Sequence, residues 1–250
     1  MSGHSKWSTI KRKKGAKDAQ RGKLFSKLVK EIIVAARMGG GDPSANARLR
    51  TAINTARSNS LPTDNIDRAI KKGTGELEGA SYEEVTYEGY GPGGVAILAS
   101  ALTDNRNRTV AEVRHIFDKN GGSIGTSGCV GWMFKKRGVI HIATDTIDED
   151  RLMEIVLEAG AEDVDASEDG FEITTAPEEF DAVTEALTKA DVATDDAEVT
   201  MVPDNTVNVT GKEAEQVLRL LDMLDDHDDM QSVSSNADIP PEEMERLSAA

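Results

Sequence analysis

The sequence predicts an α+β multidomain protein: an N-terminal three-helix bundle followed by two α/β domains, the last a ferredoxin-like βαββαβ unit inserted in the other. Before residue 73, apolar residues recur at three-to-four spacing, which indicates helices. Beyond residue 80, strand and helix patterns alternate. The chain has 250 residues, more than one hydrophobic core usually serves, so we expect two or three domains.

The first predicted helix follows a basic N-terminal arm. Between Leu24 and Ala36 the apolar residues lie on one helical face, and Lys27 and Lys30 lie on the opposite face. Glycines 39–41 should end this helix, because glycine adopts left-handed geometry without a Cβ clash.

Two shorter helices complete the predicted bundle. Asp42 and Pro43 should cap and begin the second helix. Residues 62–64 should begin the third, and Gly73 should close it. Because the connecting loops are short, we expect a compact bundle over residues 18–73.

After a linker, residues 81–135 predict a β-hairpin, a helix and a further strand. Alternating apolar and acidic residues, a glycine-rich turn and a buried apolar run indicate the hairpin. The helix should span residues 109–119 and the further strand residues 130–134. Residues 205–238 add a strand, a helix and a strand, and would complete the same domain.

Residues 138–202 follow the order βαββαβ, which is that of a ferredoxin-like domain. We therefore predict that this unit is inserted in a discontinuous domain. The predicted boundaries are 1–75 for the basic arm and bundle, 81–135 with 205–238 for the discontinuous domain, 136–204 for the acidic insertion, and 239–250 for a tail with a short helix.

Charge is distributed very unevenly along the chain. Residues 1–72 carry 17 basic and 5 acidic side chains, a net charge of +12. Residues 73–250 carry 12 basic and 40 acidic side chains, a net charge of −28. A basic module joined to an acidic remainder indicates that one end binds a polyanion, and nucleic acid is the expected one.

The predicted nucleic-acid contact is the basic arm together with the first helix. Residues 1–23 hold eight basic side chains against the single acid Asp18. A loose tail beside a solvated charged face would show the same pattern, and that interpretation stays open. The candidate contact residues are Lys6, Lys11, Arg12, Lys13, Lys14, Lys17, Arg21, Lys23, Lys27 and Lys30.

Arg106 and Arg108 are further candidates, because they lie where a predicted helix begins. Cations are unfavourable at the positive end of a helix dipole unless an anion is near, and backbone N–H groups with two guanidinium groups suit a phosphate. The alternative is structural: the arginines pair with local acids such as Asp104 or Glu112.

The glycine-rich segment 121–131 leads to Trp132 and to the basic triplet 135–137. Glycine backbone without side chains, next to an aromatic ring, could let a polymer approach closely. Glycine bulges in a strand and a tryptophan in the core would explain the same residues. We favour the structural interpretation for Trp132 and Phe134, and keep the triplet as a candidate contact.

Several protein classes are disfavoured. No run of about eighteen apolar residues predicts a membrane span, and the N-terminus lacks the apolar region of a secretory signal. Cys129 is the only cysteine, which fits a reducing compartment, so we expect a cytoplasmic protein. Scattered histidines and the lack of a P-loop or dinucleotide fingerprint predict no metal, no cofactor and no catalytic residues.

Four motifs occur in a distinctive order: GHSKW at residues 3–7, DAQRGK at 18–23, YEGYGPGG at 87–94 and DNRNRTVAEVR at 104–114. Together they resemble the YebC/PmpR family, over nearly the whole chain. The resemblance implies a cytoplasmic protein with a helical N-terminal domain and two α/β domains, and no catalytic residues carry over. It also implies a DNA-binding transcriptional regulator, although mitochondrial relatives look like translational activators and bacterial members have been tied to stalled ribosomes.

We therefore expect a non-enzymatic nucleic-acid-binding regulator of gene expression, directed to DNA by the resemblance. The alternative is a ribosome-associated translation factor that uses the same arm on ribosomal RNA. A third class is an adaptor whose acidic lobe binds a basic protein, and such an adaptor would bind without residues 1–23. We expect no membrane partner and no small-molecule substrate.

Overall fold

The computed structural model describes residues 17–167 and 170–248, and it confirms the predicted α+β fold class. The described helices are α1 (Lys17–Gly39), α2 (Ala47–Ser58), α3 (Thr63–Thr74), α4 (Arg106–Lys119), α5 (Glu149–Glu158), α6 (Phe180–Lys189), α7 (Gly211–Asp225) and α8 (Pro241–Ser248). The described strands are β1 (Glu83–Tyr90), β2 (Ala96–Thr103), β3 (Ser123–Ile124), β4 (Phe134–Ile142), β5 (Ala161–Ser167), β6 (Gly170–Thr175), β7 (Asp196–Pro203), β8 (Val207–Asn208), β9 (Met230–Ser235) and β10 (Ala237–Asp238).

Helices α1, α2 and α3 pack around one apolar core, as predicted. Ile32 of α1 and Leu49 of α2 are fully buried there. Gly73 of α3 lets two helices approach closely, since a Cβ at this position would lie 2.5 Å from the carbonyl oxygen of Ile33 and 2.6 Å from the Cβ of Ala36. Glycine in a helix interior costs about 1 kcal/mol, a cost that this close packing offsets.

The turn between α1 and α2 is organised by one buried asparagine. The side-chain oxygen of Asn46 caps the start of α2, and its NH₂ group donates to the carbonyl oxygens of Ala35 and Gly40 at the end of α1. The prediction that Asp42 caps α2 is therefore wrong. Its carboxylate instead accepts hydrogen bonds from the N–H and hydroxyl of Ser44 in the preceding turn.

Two further helix boundaries differ from the prediction. Pro43 lies in the turn before α2 and not in the first helical turn. Gly73 does not close α3, which continues to Thr74; Gly75, with φ of 85°, occupies the left-handed position that ends the helix. Near the start of α2 the sequence holds two possible capping residues, Asp42 and Asn46. Near the end of α3 it holds two glycines, Gly73 and Gly75. At each place the packing of the helices selects one of the two.

A second core lies on an antiparallel sheet with the strand order β3-β1-β2-β9. Strands β1 and β2 form the predicted hairpin, with Glu83 opposite Thr103. Helices α4 and α7 contribute Phe117 and Leu220, both fully buried, to this core. Strand β9 pairs with β2 from the far end of the chain, so the last third of the sequence completes the fold that the hairpin begins.

The segment after β9 packs on the same core. Strands β8 and β10 pair in parallel, and Ile239 and Met244 of the following segment are buried among the core side chains. The short helix expected in the tail is α8.

The strand predicted at residues 130–134 does not form. Residues 131–133 make a single 3₁₀ turn, and β4 begins only at Phe134. The physical reason is Glu88, whose carboxylate accepts hydrogen bonds from the backbone N–H groups of Val130 (2.8 Å) and Gly131 (2.6 Å). Because these donors are already engaged, they cannot join a strand ladder.

Residues 134–203 form the predicted βαββαβ unit. Its strand order is β5-β6-β4-β7, and every neighbouring pair is antiparallel, as in a ferredoxin-like sheet. Leu152 of α5 and Leu187 of α6 are buried against Ile140 and Ile173 of the sheet. Since β3 precedes this unit and β9 follows it in the other sheet, the unit is inserted in the other domain as predicted.

The two sheets meet through a small apolar contact. Ala96 and Leu98 of β2 pack against Val130 and Phe134. Strand β4 thus begins in contact with the first sheet and continues into the second. The boundary predicted between residues 135 and 136 consequently lies inside a strand.

Candidate nucleic-acid interface

Half of the predicted contact residues can be placed. The placed side chains are Arg21, Lys23, Lys27, Lys30, Arg106 and Arg108. Lys17 begins α1, but its side chain is outside the described part, and the whole of Lys6, Lys11, Arg12, Lys13 and Lys14 lies outside the described residues. The candidate interface that can be described is therefore α1 and the start of α4.

Three lysines of α1 bind the acidic C-terminal end of α7 and the segment that follows it. Their spacing of four and three residues puts them on one face of the helix. Their ammonium groups donate to the backbone carbonyls of residues 225, 226 and 228 at 2.9–3.1 Å. The accompanying ion pairs are Lys23–Asp226 (3.6 Å), Lys27–Asp225 (3.0 Å) and Lys30–Asp229 (2.8 Å).

This contact has an electrostatic cause. The C-terminal end of a helix carries the negative end of its dipole, and residues 225–229 add four aspartates. The lysine side chains become less exposed along α1, from 46% for Lys23 to 17% for Lys27 and 14% for Lys30. Lys27 and Lys30 are therefore largely covered by the chain itself.

Arg21 stays at the surface of α1. Its guanidinium lies 5.3 Å from the centroid of the Phe25 ring, a cation–π distance. Together with Lys23, which is nearly half exposed, it is the part of the described α1 face that a polyanion can reach.

Asp229 joins α1 to the start of α4. Its buried carboxylate accepts hydrogen bonds from Lys30 Nζ (2.8 Å), Arg108 Nη2 (2.7 Å) and Thr109 Oγ1 (2.8 Å). Burial alone would raise the pKa of Asp229, but the three hydrogen bonds and the charge of Lys30 hold it well below its usual range. Asp229 is therefore an ionised carboxylate at neutral pH.

The chain itself thus supplies an anion near the start of α4. Arg108 binds Asp229 and also pairs with Asp104 (3.0 Å), which is the pairing that the structural alternative predicted. The hydrogen bond to Asp229, followed by its charge, raises the pKa of Arg108. Glu112 pairs with a histidine of the α7–β9 loop instead. Arg106 is exposed, and its guanidinium makes no hydrogen bond or ion pair with any described residue.

We expect the two arginines to differ in their effect on stability. Arg108→Gln should lower the Tm by a few degrees, because the buried Asp229 loses a charged donor. Arg106→Gln should leave the Tm unchanged or slightly raised, since it removes a cation from the positive end of the α4 dipole. Thermal unfolding of the single variants measures both effects. Equal loss of stability in the two variants would contradict this assignment, and weaker nucleic-acid binding by Arg106→Gln would keep Arg106 in the interface.

The prediction that Trp132 is a core side chain is wrong. Trp132 is 70% exposed, whereas Phe134 is 5% exposed, as the structural interpretation predicted, and packs between the sheets. The indole Nε1 of Trp132 donates to the carbonyl oxygen of Cys129, and the Tyr90 hydroxyl bonds the same oxygen, both at 3.2 Å. Trp132 is thus a tethered surface ring.

The segment before Trp132 is held by an internal carboxylate. Besides its two bonds to residues 130 and 131, Glu88 accepts the N–H of Gly128 at 2.7 Å. Burial opposes the charge of Glu88, but the three backbone hydrogen bonds prevail and lower its pKa. The backbone N–H groups of this segment thus bind an anion, and that anion is the carboxylate of Glu88 in the same chain.

The basic triplet 135–137 is partly neutralised. Lys135 pairs with Asp204 at 2.9 Å, and Arg137 pairs with Glu162 at 2.6 Å. Lys136 is exposed and has no ion-pair partner among the described residues.

Within residues 17–167 and 170–248, no group of three His, Cys, Asp or Glu side chains could hold a metal ion. None of the helices in that part of the chain has the length and apolar content needed to cross a bilayer.

The domains of one known protein family match two segments that together make up most of the chain. The TACO1/YebC protein N-terminal domain matches residues 5–76, and the TACO1/YebC second and third domain matches residues 82–237. The chain belongs to the TACO1/YebC family. This confirms the resemblance to the YebC/PmpR family that the four sequence motifs indicated.

Relatives within the TACO1/YebC family are similar over their whole length. A "probable transcriptional regulatory protein" of Desulfatibacillum aliphaticivorans is 65% identical over 240 residues, 96% of this chain and 97% of the relative. A protein of Syntrophus aciditrophicus with the same name is 58% identical over 250 residues, 100% of both chains. The crystal structure of the conserved hypothetical protein Aq1575 from Aquifex aeolicus, 51% identical, has a TM-score of 0.79 and covers 89% of this chain and 92% of that chain.

Proposed function

We propose that this TACO1/YebC-family protein is a non-enzymatic regulator of gene expression that binds nucleic acid in the cytoplasm, with DNA as its partner. The observation that carries the proposal is the charge distribution, +12 over residues 1–72 and −28 over residues 73–250. A polyanion is attracted to the first segment and repelled by the second. The names of the relatives support a role in transcription.

In this proposal the arm supplies most of the phosphate contacts, and Arg21 and Lys23 extend them onto α1. Lys27 and Lys30 have a different task, because they are largely covered and bind aspartates of the α7–β9 region. They hold α1 against the α/β part of the chain.

We also propose domains with the boundaries predicted from the sequence, with two changes. The inserted domain begins with β4 at Phe134, because a boundary between residues 135 and 136 would divide that strand. The described part of the tail, residues 239–248, is assigned to the discontinuous domain, because Ile239 and Met244 are buried in the core of that domain.

A second candidate function is that of a ribosome-associated translation factor that binds ribosomal RNA. One observation favours it: the candidate contacts are lysines and arginines, which bind phosphates, and phosphate contacts orient a protein without reading sequence. Such contacts serve RNA as well as DNA.

Competition binding tests the DNA assignment. A duplex selected from a random library should bind at least about 10³-fold more tightly than the random pool at the same salt, roughly 4 kcal/mol, if the protein is a specific DNA regulator. The complementary measurement is sedimentation of a cell lysate with and without RNase. A preference near zero, together with ribosome co-sedimentation that RNase abolishes, would make the DNA assignment wrong and favour the ribosomal one.

A further inference from the structure

An open cleft lies beside α2, on the basic part of the chain. It has a volume of about 300 Å³. Its lining residues are Pro43, Ser44, Arg50, Ile53, Asn54 and Arg57. Residues 50, 54 and 57 are spaced by four and three, which puts them on one face of the helix. This face is exposed apart from Ile53, and α2 contains no acidic residue.

The arginines of α2 fall into two kinds. Arg48 is engaged: its guanidinium binds Glu31 at 2.7 and 3.1 Å and Glu84 at 3.0 Å, and the hydrogen bond to Glu31 is the main reason that its pKa is raised. Arg50 and Arg57 make no ion pair with any described residue. Within the described part of the chain, therefore, no carboxylate pairs with either of these two cations of α2.

Arg50 is also oriented toward the cleft. Its Nη1 donates to the carbonyl oxygen of Pro43 at 3.0 Å, which ties the guanidinium to the rim. A guanidinium has five N–H donors, so several remain for a ligand. Arg57 lies two helical turns further on, about 10 Å along the axis, where it can reach a different anion of an extended ligand.

We propose that the cleft beside α2 binds the phosphate backbone of nucleic acid through Arg50 and Arg57, with Asn54 as a polar contact between them. Guanidinium groups bind phosphate oxygens in a bidentate manner, which favours a phosphodiester over an isolated small anion. This site specifies one part of the proposed nucleic-acid contact, and the inference rests on the proposed function. The site adds to the proposed contacts of the arm two arginines that have no carboxylate partner among the described residues, whereas Lys27 and Lys30 of α1 bind aspartates.

The test is the salt dependence of binding by the full chain, with fluorescent random-sequence RNA and random-sequence duplex DNA as probes. Arg50→Gln/Arg57→Gln should flatten the slope of log K against log salt by about 1.4 on single-stranded RNA and about 1.8 on duplex DNA. At 0.1 M salt this is a loss of about 25- to 60-fold in affinity. Arg50→Lys/Arg57→Lys should retain most of the slope, because both charges remain.

Arg151→Gln/Arg219→Gln is the matched control, since it removes the same charge from exposed side chains on helices elsewhere in the chain. It should bind like the unmodified protein. Three results overturn the inference: a double variant of Arg50 and Arg57 with unchanged slope, an equal loss in the control, or a loss explained by a lowered Tm. If the unmodified protein binds neither probe, the proposed function fails as well, whereas an unchanged slope in the α2 variant removes only this site.

Discussion

Replacing Asp229 by alanine should lower the free energy of unfolding by about 3 kcal/mol, the lower end of what removing one partner of a buried ion pair costs. The change leaves Lys30, which is largely covered, without its carboxylate, and it removes the acceptor of Arg108 and Thr109. Urea unfolding at pH 7 measures the loss. The matched control is Asp228→Ala, because the neighbouring aspartate is exposed and carries the same charge. That control should stay within about 0.5 kcal/mol.

The same contact predicts how the stability depends on pH. The pKa of Asp229 is lower in the folded protein than the value of about 3.9 for an unperturbed aspartate. Its contribution is therefore complete above about pH 5 and is lost progressively as the pH falls below about pH 4. The difference in unfolding free energy between the unmodified protein and Asp229→Ala should shrink over that range. A difference that stays constant down to about pH 2.5 would show that the charge of Asp229 does not stabilise the fold.

The Asp229 result also bears on how the chain is assembled. Lys30, Arg108 and Thr109 belong to the helical bundle and to the first α/β core, and they meet at this one carboxylate. If Asp228→Ala were as damaging as Asp229→Ala, the general acidity of the loop would hold α1 in place, and the specific hydrogen bonds would not.

Changing Lys11, Arg12, Lys13 and Lys14 together to alanine should flatten the slope of log K against log salt by about 3 to 4 units. Each cation that reaches a phosphate displaces a counterion from the nucleic acid, and this release is what makes binding depend on salt. At 0.1 M salt the expected loss of affinity is about a thousandfold or more. Titration of duplex DNA and of ribosomal RNA fragments between about 0.05 and 0.3 M salt measures it.

A control with the same change of charge identifies the arm as the cause. Arg151, Lys189, Arg219 and Arg246 are exposed cations paired with carboxylates one helical turn away, and their joint change to alanine should leave the slope as it is. If both quadruple variants lost affinity equally, net charge would explain the binding. If the arm variant lost none, the acidic-lobe adaptor would become the better interpretation of this protein.

Much of the fold follows from patterns that act over a few residues. The three-to-four spacing of apolar residues in α1 and the glycine-rich turn of the β1–β2 hairpin determine local structure wherever those segments lie in space. The βαββαβ order of residues 138–202 could be predicted for the same reason, because each element has its own periodicity and Asp148 caps α5. Local errors, such as the cap of α2, arise where two suitable residues compete.

The partners of the charged residues could not be predicted. The lysines of α1 lie 198 to 203 residues from the aspartates they bind, and 45 acidic residues are available along the chain. Charge alone does not select among them. Arg106 and Arg108 look alike in the sequence, yet only Arg108 is within reach of Asp229 once β9 has paired with β2.

The sequence by itself determined the fold class, the separation of a basic module from an acidic remainder, and the family motifs. The tertiary structure alone decided which cations are engaged and which are left at the surface. The tertiary structure also decides that Trp132 is exposed. Glu88, more than forty residues earlier in the sequence, binds the backbone N–H groups of the two residues that precede Trp132. Periodicity and capping depend on neighbours in the chain, whereas ion pairing and burial depend on neighbours in space, and those are set only when the sheets and helices have packed.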